Sequence, residues 1–264
     1  MIIFGVSGRK QAGKNTVANI LHGIVLKEQD LINDWSIGAK GELIVETKDS
    51  SGWGEFDITR KDSHFIEYAE HSMWPFVKLY SFADTVKWMC TDLFDIPYEC
   101  VWGTDDQKNQ VQEHLRWENM PRFQNMNLMV KMPIDAKKSW GWRQGPMTAR
   151  EFMQFFGTDI MRKIYAPIWT NNTIKRINTE KSQLAIVADV RFPNEVESLN
   201  DAGGTVLRLT RKLNDNDKHS SEIALDDYPF TNLIDNSNGS IEELMVKVKK
   251  FYFNLKDSHA SNLR

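Results

Sequence analysis

The sequence predicts an α/β fold, a mainly parallel sheet of about five strands with helices on both faces. Short apolar runs rich in β-branched residues alternate along the chain with segments in which apolar residues recur at helical spacing. A glycine-rich turn separates the first run from the first helical segment. Strands that alternate with helices pair in parallel and bury both faces of their sheet. The candidate strands are residues 2–6, 77–82, 184–188, 205–209 and 232–235.

The first run, IIFGV, leads into the segment GVSGRKQAGKNTVANIL at residues 5–21. Gly8, Gly13 and Lys14 keep the spacing of the phosphate-binding motif G-x-x-x-x-G-K-[ST]. In such a loop the glycines let backbone N–H groups converge on phosphates, the lysine reaches the β- and γ-phosphates, and the following helix adds partial positive charge. The segment therefore predicts a nucleotide phosphate site. A glycine turn with a solvated lysine is the alternative.

One position of this loop departs from the motif. Asn15 stands where the motif has a hydroxyl residue, which removes the usual ligand of magnesium, and Thr16 follows it. The resulting G-K-x-T resembles the arrangement in nucleoside monophosphate kinases. That resemblance implies that Thr16 contacts the α-phosphate and that the metal keeps more of its water ligands, as magnesium tends to. The departure thus favours phosphoryl transfer to a small molecule.

Two stretches interrupt the alternation of strands and helices. Residues 35–58 alternate apolar and polar side chains between glycines and serines, which predicts an inserted β-hairpin. Residues 97–146 are rich in Trp, Met, Asn and Pro with weak periodicity, which predicts an irregular insertion on the substrate side. We expect a single domain over residues 1–255 and a frayed tail over 256–264. Helical patterns cover residues 83–94, 148–164, 193–203 and 240–255, with capping-box spacing at Thr148 and Glu151 and at Ser240 and Glu243.

A second chemical signal is the segment LAIVADVRFPNE at residues 184–195. An apolar strand that ends in an aspartate, here Asp189, is typical of a carboxylate near a nucleotide-bound metal, so Asp189 is our candidate for Mg²⁺. A helix or turn cap is the alternative for it. Arg191 could reach a phosphate, and Glu195 lies in the first turn of the next helix. A surface salt bridge between Arg191 and Glu195 is the alternative for these two.

Composition narrows the classes of function. The chain has 264 residues with 33 Lys and Arg against 36 Asp and Glu, so its net charge of −3 gives no broad basic surface for duplex nucleic acid. No apolar run approaches the ~18 residues of a membrane span, and the N-terminus has no targeting pattern, so we expect a cytoplasmic protein. Cys90 and Cys100 lack C-x-x-C spacing, which favours reduced structural thiols.

Taken together, the segments resemble the bacteriophage deoxynucleoside monophosphate kinases, which are P-loop enzymes. They follow the order of that family and cover most of the chain outside the two insertions. The resemblance implies a P-loop kinase fold that passes the γ-phosphate of ATP, with Mg²⁺, to a deoxynucleoside monophosphate (dNMP). The matching segments are SGRKQAGKNT (7–16), SFADTVK (81–87), REFMQFFGTD (150–159), DVRFPNE (189–195), GGTVLRLTR (203–211), HSSE (219–222) and NSNGSIEEL (236–244).

The resemblance also implies roles for individual residues. Phosphoryl transfer needs cations that hold two sets of phosphates in line. We expect ATP to contact Gly8, Arg9, Lys10, Gly13, Lys14, Asn15 and Thr16. The dNMP would contact Lys87, Arg150, Asp159, Trp169 and Glu195, with Trp169 stacked on the base. The catalytic cations would be Lys14, Arg150, Arg191 and Arg211, the last in a polar lid, residues 211–222, that also holds His219.

Alternatives stay open for these assignments. Lys87 has the alternative of a solvated helix lysine, Asp159 of a loop cap and Trp169 of a core residue, while the lid could be a solvated loop. A P-loop kinase for another small acceptor and a nucleotide-dependent switch or ATPase are the rival functions. We expect small nucleotides as partners, no direct nucleic-acid binding and no membrane association, and we allow for a homodimer.

Overall fold

The computed structural model describes residues 1–49, 52–121, 143–211 and 223–261. The chain forms two compact units. Unit 1 comprises Met1–Phe82 and Thr170–Arg264, and unit 2 comprises Ala83–Trp169. The expectation of one domain over residues 1–255 stays a prediction. Of the predicted lid, Arg211 is described, whereas His219 lies outside the described residues.

The centre of unit 1 is a five-stranded sheet in which every neighbouring pair is parallel. The strand order is β10-β9-β1-β8-β5. This confirms the predicted α/β class and the five candidate strands. The strands are β1 (Ile2–Gly8), β5 (Val77–Tyr80), β8 (Leu184–Val190), β9 (Thr205–Thr210) and β10 (Leu233–Asp235).

Helices cover both faces of this sheet. Successive residues of β1 point to opposite faces. Phe4 lies in the core with helix α1 (Lys14–Glu28), and its ring centroid is 5.8 Å from that of Phe251 in helix α10 (Ile241–Ser261). On the other face, a Cβ added to Gly5 would meet the Leu199 side chain of helix α9 (Pro193–Asp201). Glycine at this position therefore lets α9 approach the central strand closely.

The residues predicted as a hairpin form a three-stranded antiparallel sheet. Its strands are β2 (Asp34–Ile37), β3 (Leu43–Glu46) and β4 (Trp53–Glu55), in the order β2-β3-β4. The sheet packs against α1 so closely that a Cβ on Gly23 of that helix would overlap the ring of Trp35. The third strand was missing from the sequence prediction. Its three exposed residues, WGE, carry no apolar alternation that a pattern could detect.

Helix α1 buries an imidazole in the core of unit 1. His22 is 0% exposed, and its Nδ1 lies 2.8 Å from the carbonyl oxygen of Ala18, one helical turn earlier. Its Nε2 has no hydrogen-bond partner among the residues that the structure describes. Burial lowers the pKa of His22 from 6.5 to about 4, against the opposing hydrogen bond to Ala18. The ring is therefore neutral at physiological pH.

We expect this burial to make stability depend on pH. Since the unfolded chain takes up a proton at higher pH than the folded chain does, the free energy of unfolding should fall by roughly 3 kcal/mol as pH drops from 6.5 to about 4. Denaturant unfolding across this range measures it, and His22→Leu should remove this part of the slope. The control is His71→Leu, because exposed His71 makes the same bond, Nδ1 to the Glu67 carbonyl at 2.8 Å. An unchanged slope in His22→Leu would contradict the prediction.

Unit 2 combines short helices with a two-stranded antiparallel sheet. Its core holds Val86, Cys90, Phe152, Phe155 and Trp169 among other buried residues. Both cysteines are buried and free, as predicted. The elements are α3 (Asp84–Phe94), α4 (Tyr98–Trp102), α5 (Asp105–Lys108), β6 (Val111–Arg116), β7 (Pro146–Thr148), α6 (Ala149–Gln154), a π-helical segment (Phe155–Met161) and α7 (Arg162–Ile164).

Several boundaries differ from the sequence predictions. The described parts of residues 97–146 contain α4, α5 and β6 rather than irregular chain, while residues 122–142 lie outside the description. Helix α10 continues past residue 256, where we expected a frayed tail, and ends at Ser261. Lys256 in this extension forms an ion pair with Glu28 at 2.8 Å. The remaining helices of unit 1 are α2 (Ser63–Tyr68), a π-helical segment (Ala69–Met73) and α8 (Ile168–Glu180), which begins at the end of unit 2.

Two helices begin at the N-terminal caps that the sequence predicted. The Thr148 and Glu151 capping box is complete, with Glu151 N donating to Thr148 Oγ1 at 3.1 Å and Thr148 N donating to Glu151 at 3.0 Å. At α10, Glu243 N donates to Ser240 Oγ at 3.3 Å. None of the helices in the described ranges combines the length and apolar character needed to cross a bilayer.

Candidate functional site

Strand order places a ligand site at one edge of the sheet in unit 1. Strand β1 is central, with β8 and β5 on one side and β9 and β10 on the other, so the chain changes direction across the sheet at β1. Open parallel sheets bind ligands outside the carboxyl ends of their strands at such a point. The glycine-rich segment follows β1 directly, which places the predicted phosphate loop, residues 8–14, at this edge.

The loop has the backbone shape that its glycines predict. Gly13 has φ 103° and Gln11 has φ 60°, both in the left-handed region, and α1 begins immediately afterwards at Lys14. Gly13 has no side chain that could cap the helix, and the N–H groups at the start of a helix are a general site for anions. A Cβ on Gly8 would lie 3.1 Å from the Leu209 carbonyl oxygen, which explains the first glycine of the motif.

Lys14 places its charge within the curve of the loop. Its Nζ donates to the carbonyl oxygen of Gly8 at 2.6 Å and to that of Arg9 at 2.8 Å. The side chain is half-buried, and the next residue, Asn15, is exposed. A lysine held in this way at the first helical turn has the position that phosphate oxygens entering the loop would meet.

The inserted sheet contacts this helix at the position after Asn15. Gly41, in the turn between β2 and β3, has φ 85°, and a Cβ there would overlap the hydroxyl oxygen of Thr16. The Asn19 amide donates to the Gly41 carbonyl oxygen at 2.8 Å. The turn therefore lies against the first two turns of α1. The sequence patterns did not predict where the inserted strands pack.

Gly41→Ala should lower the free energy of unfolding by about 2–4 kcal/mol, because it combines left-handed strain with overlap on Thr16. Denaturant unfolding measures the change. Gly52→Ala is the matched control, since Gly52 has φ 79° but no atom of the described residues lies within 4 Å of an added Cβ. The control should lose only about 1–2 kcal/mol. In a Thr16→Ala background the Gly41 penalty should shrink, and equal penalties in both backgrounds would contradict the contact.

Asp189 lies near the carboxyl end of β8 and is partly exposed. Its Oδ1 accepts the Phe82 backbone N–H at 3.1 Å, and its Oδ2 accepts the Ser81 hydroxyl. The carboxylate is thereby oriented by residues that follow β5. In the described ranges no three His, Cys, Asp or Glu side chains are grouped as metal ligands. One carboxylate with nucleotide phosphates and water suffices for magnesium, so Asp189 fits that donor set.

A buried arginine that the sequence patterns did not single out supports the loop from β9. Arg208 is 8% exposed and donates to Ser7 Oγ at 3.0 Å and to Asp226 Oδ1 at 2.8 Å. Arg9 binds the same carboxylate, with Nε 3.3 Å from Oδ1. The Arg9 hydrogen bond is the main cause that lowers the pKa of Asp226. The sequence carried one signal for this residue, because Arg208 is a charge inside the otherwise apolar run TVLRL.

The other predicted site residues of unit 1 lie on the glycine loop, at the surface or in a helix cap. Arg211 Nη1 donates to the Gln11 carbonyl oxygen at 2.9 Å, so its guanidinium lies on the glycine loop, and its catalytic role stays a prediction. Lys10 and Arg191 are exposed. Glu195 is 2% exposed and accepts the backbone N–H groups of Arg191 and Phe192 at 2.8 and 3.1 Å. This carboxylate caps α9, and its assignment to dNMP binding stays a prediction.

Unit 2 brings together two of the predicted acceptor residues and buries another. Arg150 donates from Nε to Asn109 Oδ1 at 3.0 Å and from Nη2 to Asp105 Oδ1 at 2.7 Å. Lys87 Nζ lies 4.5 Å from the ring centroid of Trp102. Trp169 is 4% exposed and donates its indole N–H to the Gly157 carbonyl oxygen at 3.0 Å. The ring is buried in this structure, as in the alternative of a core residue, and its stacking on a base stays a prediction.

Asp159 lies in the π-helical segment, which interrupts the helix predicted over residues 148–164. Its carboxylate is 3.6 Å from Lys163 Nζ. Burial raises the pKa of Asp159, against the opposing charge of Lys163. A half-buried carboxylate can accept a hydrogen bond from an N–H or hydroxyl group, and the contact of Asp159 with the dNMP stays a prediction.

Comparison with known proteins agrees with this geometry. A model of the deoxynucleotide monophosphate kinase family matches residues 83–248. A protein of Acanthamoeba polyphaga mimivirus, provisionally named a deoxynucleotide monophosphate kinase, is 25% identical over an alignment of 182 residues, which covers 64% of this chain and 79% of the viral protein. The deoxynucleotide monophosphate kinase of Enterobacteria phage T4 is 24% identical over an alignment of 267 residues including gaps, which covers 94% of this chain and 98% of the phage protein.

The family match covers all of unit 2 and the strands β8, β9 and β10 of unit 1, and it begins after the glycine loop. The sheet topology, the loop at its switch point and the sequence match are independent observations. All of them lead to one conclusion: this chain is a member of the deoxynucleotide monophosphate kinase family.

Proposed function

We propose that this protein transfers the γ-phosphoryl group of ATP to a dNMP, which yields ADP and a deoxynucleoside diphosphate. The observation that carries the proposal is Lys14, held inside a glycine loop at the switch point of a parallel sheet, in a chain that matches the family over residues 83–248. Phosphoryl transfer asks the protein mainly for positioning and electrostatic stabilisation, and a cation in a backbone cradle provides both.

In the proposed reaction an oxygen of the acceptor phosphate forms a bond to the γ-phosphorus, and the bond from that phosphorus to the β–γ bridging oxygen breaks. The acceptor phosphate is already anionic at neutral pH, so no general base is required. Lys14 and the first-turn amides of α1 stabilise charge on the donor phosphates. Arg211 lies on the loop through Gln11 and can neutralise the same charge. Arg9 is held beside the loop by Asp226.

Magnesium is the metal that we propose for the donor site. When bound, it would supply positive charge that stabilises the donor phosphates. Asp189 would hold it through a carboxylate oriented by Ser81 and the Phe82 N–H. Exposed Asn15 offers no hydroxyl, and Thr16 contacts the turn at Gly41, so we propose that water completes the coordination.

The acceptor site is proposed for unit 2, where Lys87 and Arg150 are the cations and Asp159 is the acceptor for a base N–H or sugar hydroxyl. Arg191 is kept as a further cation near the transferred group. We also propose a cytoplasmic location and no direct role in nucleic-acid binding, in keeping with the net charge of −3.

A coupled assay of ADP release tests the function. Purified protein with ATP and Mg²⁺ is offered dAMP, dGMP, dCMP and dTMP separately, with the ribonucleotides and the deoxynucleosides as controls. We expect ADP release that depends on at least one dNMP and yields the matching diphosphate. ATP hydrolysis that no dNMP stimulates would contradict the proposal and favour a nucleotide switch or ATPase. Activity with the deoxynucleosides alone would indicate a different acceptor.

A further inference from the structure

Helix α5 carries a lysine beside the proposed acceptor cation Arg150. The Arg150 guanidinium bridges Asp105, the first residue of this helix, and Asn109, which follows its last residue, at 2.7 and 3.0 Å. Lys108 lies between those two positions in the same turn and is partly buried. The sequence motifs did not single out Lys108, because a lysine in DDQKN has no distinguishing pattern.

The electrostatic surroundings of Lys108 are dominated by other cations. Burial lowers the pKa of Lys108, and the charges of Lys87 and Arg150 lower it further, while Asp105 raises it. The charges of Lys87 and Arg150 therefore act on Lys108 in one region of unit 2, and Asp105 is the carboxylate that opposes them there. Asp105 already forms an ion pair with Arg150, so it does not balance the cluster.

Two of the three cations are held in place by neighbours. Arg150 is fixed by Asp105 and Asn109, and Lys87 lies over the Trp102 ring. Within the described ranges, the ammonium group of Lys108 makes neither an ion pair nor a hydrogen bond. Like charges brought together at partly buried positions repel each other. A doubly charged anion would remove that repulsion and match the excess of positive charge.

From this arrangement we infer that Lys108 is a third phosphate-binding residue, which joins Lys87 and Arg150 around the phosphate group of the acceptor dNMP. The inference rests on the proposed kinase function and extends it by one residue. A phosphate monoester carries about two negative charges near neutral pH. The fork of Arg150 fixes its orientation, and the two lysines act as point charges at its other oxygens.

Kinetics and equilibrium binding of Lys108→Ala test this role. We expect KM and Kd for the dNMP to rise about tenfold, because the variant loses one charged hydrogen bond to the phosphate. KM for ATP should change less than about twofold. Lys108→Arg should restore most of the dNMP affinity. Affinity for the corresponding deoxynucleoside, which lacks the phosphate, should not change. Lys175→Ala is the control, because Lys175 is an exposed lysine on α8.

Each contrary outcome identifies a different failure. Unchanged dNMP affinity in Lys108→Ala, or equal losses for dNMP and ATP, would overturn the inference. An equal loss for the deoxynucleoside, with no rescue by Lys108→Arg, would indicate a structural role instead. If the wild-type protein phosphorylates no dNMP, the proposed function fails. Calorimetric titration with dNMP and ADP then still shows whether Lys108 contributes to binding the monophosphate.

Discussion

Replacing Lys14 by alanine is expected to lower the turnover of ATP-dependent dNMP phosphorylation by about 10²-fold or more. The ammonium group lies within the glycine loop, 2.6 Å from the Gly8 carbonyl oxygen, where a transferring phosphoryl group would meet it. Charge that develops in the transition state would lose its nearest fixed cation in this variant. Steady-state kinetics with saturating ATP, Mg²⁺ and dNMP measures the change.

Lys27→Ala is the matched control for Lys14→Ala. Lys27 lies in the last turn of the same helix, α1, exposed and ion-paired with Asp34 at 3.4 Å. Both variants should retain cooperative unfolding, because neither lysine is part of the core. A Lys14→Ala protein that keeps near-normal kcat would remove the glycine loop from the proposed mechanism. Loss of activity together with loss of folded structure would require Lys14→Arg as the informative variant, which should keep the fold and still be slow.

Arg150→Lys is expected to raise KM for the dNMP about tenfold or more and to leave KM for ATP nearly unchanged. The guanidinium already forms a fork on Asp105 and Asn109, at 2.7 and 3.0 Å, and an ammonium group cannot reproduce that fork. The variant therefore loses both the orientation of the side chain and bidentate contact with a phosphate. Lys87→Ala should act in the same direction but less, since a lysine is a point charge.

Arg116→Lys is the control for Arg150→Lys within unit 2. Arg116 forms a comparable ion pair, Nε to Glu118 Oε1 at 2.8 Å, but it is not among the proposed acceptor residues. Separate titrations with ATP and dNMP decide the matter. Equal losses for both ligands in Arg150→Lys, or a loss confined to ATP, would mean that Arg150 does not hold the acceptor phosphate.

Sequence patterns were reliable where a local rule is strong. The β-branched runs became the strands of the parallel sheet, and the Thr148 and Glu151 box caps its helix, because burial and capping act over a few neighbouring residues. The glycine loop was also predictable, since backbone at φ 103° favours glycine at position 13. The patterns left the roles of Glu195 and Trp169 undecided. A carboxylate and an indole near a motif have the same sequence signal whether they bind a ligand or support the fold.

The amino-acid sequence by itself determined the α/β class and the strand-loop-helix unit around Lys14. The order of its motifs also indicated the kinase family. Each of these depends on spacing along the chain. Only the tertiary structure decided that Arg208 and Arg9 share Asp226, that Gly41 lies on Thr16, and that Arg150 bridges Asp105 and Asn109 on either side of Lys108. These contacts join residues distant in sequence, and folding brings them together through packing of the sheet and the inserted elements, which no local periodicity records.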